Sequence, residues 1–186
     1  MLPELRTRRL VLRPVAAEDL ALIADRVGDF EVAKVLSVVP HPYVLADAKN
    51  WFAQTSAVQE DGERAFAIFL KEQEHGSDGP IGVVSVGRPD GTPNFGYWIA
   101  RPFWGRGFMT EAGRAALDWL FASTQTESVS SGALVENPAS LNVLRKLGFG
   151  NETPCPISVR ARAQELPGTR VSLSRESYLA AREAVA

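Results

Sequence analysis

The spacing of apolar residues changes several times along the chain, and each change marks an element. Residues 10–14 read as a short strand closed by Pro14, which has no N–H to continue a central ladder. Leu20, Ile23, Ala24 and Val27 then recur at three, four and seven, the face of a helix that opens near Ala17 and that Gly28 stops. Residues 30–36 form a second helical piece, ended by Pro40, His41 and Pro42, which fix an extended loop. Residues 46–59 are helical again, with Ala48, Trp51, Phe52 and Thr55 on one side. From Ala65 the period shortens: residues 65–70 and 81–86 read as antiparallel strands around a turn at 74–79, and a turn at 89–92 leads to a strand over 94–100. Met109, Ala112, Ala116 and Trp119 make one row of a long helix ending near Phe121, and Gly113, Leu117 and Leu120 a second. Glu111, Arg114 and Asp118 fall on its remaining face, a spacing that predicts a solvent-facing Glu111–Arg114 pair.

Residues 128–135 read as the next strand. Asn137 followed by Pro138 is a marked helix start, since Asn accepts the capping bond and Pro lacks the N–H that would be orphaned. Leu141, Leu144 and Leu147 face a core, and Gly148 supplies the left-handed cap. Residues 157–163 and 169–174 are strands around a turn at 165–168, and residues 176–184 a terminal helix. No internal repeat or linker interrupts the pattern, so residues 1–186 read as a single domain.

Composition narrows the function. With 45% apolar residues and a formal net charge of −2, the chain buries a full core and lacks the basic field of a nucleic-acid binder. Its one cysteine, Cys155 between Pro154 and Pro156, forms no internal disulfide and reads as an ordinary structural residue. No apolar run reaches the roughly 20 residues of a membrane span, and the N-terminus lacks the apolar core of a signal peptide; no membrane partner and a cytoplasmic location are the expectation. No metal site is expected. Chemistry concentrates instead where the strand 94–100 meets Gly105, Gly107 and the long helix. A helix start offers unpaired N–H groups and the positive end of the helix dipole, and glycine lets the backbone approach a ligand closely, so this junction is a candidate anion cradle.

Two segments in register, residues 97–112 with Trp104, Gly105, Arg106, Gly107, Phe108, Met109 and Thr110, and residues 136–149 with Asn137, Ser140 and Gly148, resemble the GCN5-related N-acetyltransferase superfamily. The nearer match is the branch of the ribosomal-protein N-terminal acetyltransferases, whose opening strand and helix residues 8–19 resemble. The resemblance implies an α/β (α+β) fold: one domain with a mixed, strongly bent, six- or seven-stranded sheet and helices on both faces. It implies acetyl-coenzyme A, used as co-substrate, in a splayed gap between the strands ending at Ile99 and Val135. Backbone amides from Trp104 to Phe108, with Met109 and Thr110 following, would hold the pyrophosphate; Ile99, Ala100 and Asn137 would lie along the pantetheine arm.

The departures from the family pattern are specific. Pro102 stands where Gln or Arg is usual before the first glycine, and Leu144 where many members carry a tyrosine acid. In the resembled branch a serine three residues after the Asn protonates the leaving thiolate, and Ser140 stands there. Glu136, Glu31 and His41 are candidates for the base, whereas Asn94 replaces a Glu common in the branch; Glu136 is the preferred one. Phe30, Glu31, His41, Tyr43 and Trp51 are the expected lining of an acceptor pocket. The expected activity is direct transfer of an acetyl group to a primary amine, a protein N-terminus or a small molecule, by a monomer or homodimer. The alternative is an acyl-coenzyme A sensor or interaction domain that keeps the cradle without the catalysis. A P-loop hydrolase is excluded, because no Lys-Ser/Thr follows the glycines.

Overall fold

A computed structural model describes residues 2–56, 64–71, 78–87 and 93–183. In chain order the strands are β1 (Leu5–Arg6), β2 (Leu10–Pro14), β3 (Arg64–Leu70), β4 (Gly82–Gly87), β5 (Asn94–Ile99), β6 (Ser128–Leu134), β7 (Gly150–Val159) and β8 (Gln164–Ser174). The α-helices among the described residues are α1 (Leu20–Val27), α2 (Phe30–Ala33), α3 (Leu45–Ser56), α4 (Phe108–Ser123), α5 (Pro138–Lys146) and α6 (Arg175–Glu183). The turn expected at 89–92, most of that at 74–79, and the outer ends of the helices expected over 46–59 and 176–184 lie outside the described residues.

All strands join one eight-stranded sheet of order β1-β2-β3-β4-β5-β6-β8-β7. Every neighbouring pair is antiparallel except β5 and β6, which run parallel, so the sheet is mixed. The eighth strand, beyond the six or seven expected, is β1: only two residues long, it pairs with Val11 and Leu12 and is too short to leave a period in the sequence.

Side-chain alternation sorts the two faces. Phe66, Ile68, Val84, Val86 and Phe95 point to one side, where they pack with Phe108, Met109, Ala112, Ala116, Leu117 and Leu120 of α4 and Leu141 and Leu144 of α5. Ala65, Val83 and Trp98 point to the other, against Ile23 of α1 and Trp51 of α3. Helices therefore cover both faces. The α5 ends as its sequence predicts: Gly148 takes φ 95°, with its N–H bonded to Arg145 and the Phe149 N–H to Leu144, the paired bonds of a Schellman cap.

Two expectations are corrected. The β7–β8 hairpin turns at Arg160–Arg162, with Ala163 left-handed at φ 48°, and not at 165–168, where Pro167 and Gly168 instead sit inside β8 opposite Pro156 and Cys155. The Pro167 carbonyl accepts from Val135, so by strand alternation Pro167 points to β6 at that strand's end, and Pro154 and Pro156 point outward from the edge strand β7. No ladder bond between β7 and β8 is lost to any of the three prolines, which is why a proline-glycine pair here does not break the strand.

Glu111 is the second correction, for it does not pair with Arg114. Its carboxylate accepts from the Thr7 hydroxyl at 2.6 Å, the Arg9 N–H at 2.8 Å and the Arg9 guanidinium at 2.8 Å, tying the β1–β2 turn to the first turn of α4. Tertiary partners offering one backbone and two side-chain donors outcompete a neighbour on the same helix, which offers a few tenths of a kcal/mol. Burial works to raise the Glu111 carboxyl, but the bonds from Thr7 and Arg9 outweigh it and hold the group below its ordinary 4.5. A depressed carboxyl stabilises the fold above its unfolded value and loses that contribution as pH falls through the folded one. Glu111→Gln is therefore expected to cost about 1.5–3 kcal/mol in urea denaturation at pH 7. The gap between variant and parent should close as pH drops below 4.5; an unchanged gap at acid pH would refute the linkage.

Candidate active site

The parallel neighbours β5 and β6 touch at one register position only, Asn94 opposite Ser130. The Ser130 N–H donates to Pro93 at 2.9 Å, and the buried Ser131 hydroxyl donates to the Phe95 carbonyl at 2.8 Å. Beyond these bonds the strands part. The Ala100 N–H bonds to Ile81, so by ladder alternation Phe95, Tyr97 and Ile99 turn their backbone groups away from β4 and towards β6. Val135 bonds to Pro167 on β8, and the same alternation turns Gly132 and Leu134 towards β5. The result is a cleft between two strand ends, floored by core and edged with backbone donors and acceptors that have no strand partner. Two of those acceptors are closed locally: the Ile99 carbonyl takes the Trp104 indole N–H at 2.6 Å, and the Leu134 carbonyl takes the Asn137 N–H at 2.9 Å. The Ile99 N–H remains turned into the cleft, as a group holding an acyl thioester or its amide-rich arm requires. Ala100 is placed differently: its N–H serves Ile81 and its side chain is buried in the core.

At the mouth of the cleft, residues 101–103 make one 3-10 turn and the chain passes through Trp104, Gly105 and Arg106 into α4. Gly105 and Gly107 take φ of 72° and 77°, a region costly to any residue with a Cβ, and this is what lets the turn close directly onto the helix. Gly107 is the N-cap and no side chain caps the helix, so the N–H groups of its first turn, from Phe108 to Thr110, are presented outward. Cations surround them. The Arg9 guanidinium donates to the Arg106 carbonyl at 3.0 Å, and the guanidinium carbons of Arg9 and Arg106 stand 4.4 and 4.6 Å from the Phe108 ring centroid. The carboxylate that would repel an anion, Glu111, is held aside by Arg9 and Thr7. Uncapped helix dipole, flanking guanidinium groups and a sequestered carboxylate together fit a pyrophosphate. Met109 is core, its side chain buried against the sheet.

Across the cleft, Asn137 caps α5, its Oδ1 accepting the Ser140 N–H at 3.2 Å. Ser140 Oγ lies 2.7 Å from the hydroxyl of Tyr97 on β5, and the Ser140 carbonyl lies 3.1 Å from the same hydroxyl, whose single hydrogen serves one of the two. Glu136 is bound to the guanidinium of Arg162 from the β7–β8 turn. Of the expected acceptor lining, Phe30 and His41 come together, ring centroids 5.0 Å apart and edge to face. Glu31 is paired with Lys34 at 2.6 Å. Tyr43 borders an open depression with Ala24, Asp25, Gly28 and Leu45; burial, then the Asp47 carboxylate, push its phenol up to about 12. Trp51 packs beside Ile23, Ala65 and Val83.

Sequence reasoning missed Tyr97 as a partner of Ser140, Arg9 and Glu111 as supports of the cradle, and Arg162 as the partner of Glu136. Only Tyr97 left a signal: it shares the parity of Phe95 and Ile99 on a strand already assigned to the cleft, so its side chain falls on the face that α5 covers, where Ser140 sits. No group of three or more His, Cys, Asp or Glu among the described residues is arranged to hold a metal, and no described helix is long and apolar enough to cross a membrane.

Comparison with known proteins agrees with this geometry. The chain is 28% identical over 175 residues to the uncharacterized N-acetyltransferase p20 of Bacillus licheniformis, spanning 94% of this chain and 97% of that one. Its fold superposes on the ribosomal-protein-S5-alanine acetyltransferase of Vibrio fischeri with a TM-score of 0.79 at 18% identity, over 95% of this chain and 98% of that one. It also superposes on the spermidine N-acetyltransferase of Vibrio cholerae, solved with CoA and spermine, with a TM-score of 0.74 at 21% identity, over 93% and 99%. The model of the acetyltransferase (GNAT) domain matches residues 9–150, and the chain belongs to that family of acetyl-coenzyme A-dependent acetyltransferases.

Proposed function

We propose that the protein transfers the acetyl group of acetyl-coenzyme A to a primary amine by direct attack in a ternary complex. The observation that carries this reading is the cleft itself: a cradle of helix amides at one side of its mouth and a serine hydroxyl at the other, with the Ile99 N–H between them. In this reading the amides from Gly105 to Phe108, followed by Met109 and Thr110, hold the pyrophosphate, while the Trp104 N–H, expected to join them, is taken by the Arg101 carbonyl at 3.2 Å. Ile99, Ala100 and Asn137 border the pantetheine arm, and the Ile99 N–H stabilises the negative charge that gathers on the thioester oxygen. Ser140 protonates the departing thiolate.

The base requirement points to the kind of amine. Glu136 is engaged by Arg162 and Glu31 by Lys34, while His41 lies in an exposed loop against Phe30. An acceptor that is already partly neutral asks least of such groups, and an α-amino group, with a pKa of about 7.7–8.0, is one; a lysine amine near 10.4 is not. A protein or peptide N-terminus is thus the preferred acceptor, a weakly basic small amine the next. Glu136, acting through water, is the residue assigned to take the proton, and Phe30, Glu31, His41, Tyr43 and Trp51 are assigned to the acceptor wall. Cytoplasmic residence, with the protein as monomer or homodimer, is part of the same reading.

Calorimetry with acetyl-coenzyme A, followed by a thiol-release assay over alanine- and serine-initiated peptides and spermidine, tests it. Binding without thiol release from any amine would replace the enzyme with an acyl-coenzyme A sensor, and no binding at millimolar concentration would remove both. Gly107→Ala places a Cβ on backbone at φ 77°, with open space around it apart from Arg9 at 3.6 Å, so the strain falls on the turn alone. That strain of about 1–2 kcal/mol is expected to weaken acetyl-coenzyme A binding roughly 5- to 30-fold in the same calorimeter. Ser140→Ala is expected to lower kcat by about 100-fold while the KM for acetyl-coenzyme A stays within about threefold. A kcat at the parent value would rule Ser140 out as the acid.

A further inference from the structure

Tyr97 carries a hydroxyl beside the proposed acid and has no role in the chemistry above. It projects from β5, its ring 5.5 Å from that of Phe95 in the core, and its hydroxyl meets Ser140 on the opposite side of the parting. The shorter of its two contacts is to Ser140 Oγ at 2.7 Å, the longer to the Ser140 carbonyl at 3.1 Å, and that carbonyl already lies in a helix, where it serves an amide four residues on.

A serine hydroxyl has one hydrogen to give and two sites at which to accept. With its hydrogen spent on Tyr97, Ser140 has none to offer the sulfur. With Tyr97 as donor, the Ser140 oxygen is held in place by the bond it accepts and its own hydrogen is free to point into the cleft. Burial pushes the Tyr97 phenol up to about 12, against a smaller downward pull from Ser140, so Tyr97 keeps its hydrogen throughout the neutral range.

We propose that Tyr97 is a positioning residue for acetyl transfer: it donates to Ser140 Oγ and so aims the Ser140 hydrogen at the departing thiolate. This rests on the reading of Ser140 as the acid. As the amine nitrogen bonds to the carbonyl carbon, the carbon–sulfur bond breaks with its electron pair on sulfur, and sulfur takes the Ser140 hydrogen. The nitrogen sheds one proton through water to Glu136, which passes it to solvent, and Ser140 regains one from solvent, so the transfer balances. Tyr97 keeps its own hydrogen, and nothing is oxidised or reduced.

The test is a double-mutant cycle on kcat with Tyr97→Phe, Ser140→Ala and the pair, using acetyl-coenzyme A and the fastest acceptor of the amine screen. Phe keeps the ring packing on Phe95, and calorimetric binding of coenzyme A verifies that each variant retains the folded cleft. The expected result is a kcat lowered about tenfold or more by Tyr97→Phe, with the KM for acetyl-coenzyme A within about twofold, and a double variant no slower than Ser140→Ala alone. A purely structural tyrosine would shift KM or coenzyme A affinity, and its loss would multiply with that of Ser140. Ser140→Ala slow but Tyr97→Phe at the parent kcat overturns the positioning role and leaves the acid assignment standing. Multiplicative losses in the double variant overturn it as well. Ser140→Ala at the parent kcat overturns the acid assignment and takes this inference with it.

Discussion

The parting of β5 and β6 is the constraint on which the rest of the site depends. A parallel pair held at one register position leaves backbone donors and acceptors exposed along both strand ends, and buried or half-buried groups of that kind need partners. The protein answers some of them itself. Ser131 closes the Phe95 carbonyl at the point of divergence, the Trp104 indole closes the Ile99 carbonyl, and the Asn137 N–H closes the Leu134 carbonyl. At the strand end and the mouth what is left open includes the N–H groups of Ile99 and of the start of α4. A cleft that closes the Ile99 and Leu134 carbonyls at its strand ends and keeps the Ile99 and α4 amides open favours a ligand rich in acceptors, which is what an acyl thioester with an amide-linked arm and a pyrophosphate supplies.

That selection needs the start of α4 to stay positive, and here the first strands matter. Glu111 lies in the first turn of a helix whose N-terminus would hold pyrophosphate, a place where a free carboxylate stabilises the helix but repels the ligand. Thr7 and Arg9 resolve the conflict by drawing the carboxylate off to the β1–β2 turn, where three donors saturate it. The same Arg9 reaches back to the Arg106 carbonyl and covers Phe108, so one residue both neutralises the misplaced charge and braces the glycine turn. The edge strand β1 sets Leu5 against the core and presents this turn to α4.

What was legible in the sequence is what is decided locally. Gly105 and Gly107 announce a backbone conformation, Asn137 and Pro138 a helix start, and Gly148 a helix end, because each is set by the φ/ψ limits of the residue itself. The strands and helices themselves are legible for the same reason, since period two and period 3.6 are properties of a short window, whereas their layering into a mixed sheet with helices on both faces follows from the family resemblance. Glu111 was misassigned because its partners lie 102 and 104 residues away, and a same-helix neighbour was the best that spacing offers. The Pro167–Gly168 pair was read as a turn because local statistics carry no information on which side of a strand a ladder bond falls. Tyr97 and Ser140, 43 residues apart, meet because two strands diverge, and no window contains that fact.

The acceptor side is the least legible for a further physical reason: it is assembled from segments that do not support themselves. The α2 helix is one turn long, and the chain after it, through Val38 and the proline loop to Val44, carries exposed apolar side chains without regular structure. This stretch is held by the β7–β8 turn, where the Arg160 N–H donates to the Ser37 carbonyl and its guanidinium donates to the Val38 carbonyl, 122 residues apart in sequence. The neighbouring Arg162 of that turn engages Glu136 beside Asn137, so one short hairpin touches both the loop expected to receive the acceptor and the end of the strand that borders the cleft. Exchanging residues in such a hairpin would move the loop and the Glu136 carboxylate together while leaving the cradle, built on β5 and α4, untouched. Separating the two jobs in this way would let the acceptor wall proposed for residues 30–43 change without disturbing the cradle, because the Arg160 and Arg162 contacts lie on the loop and on Glu136 and not on β5 or α4.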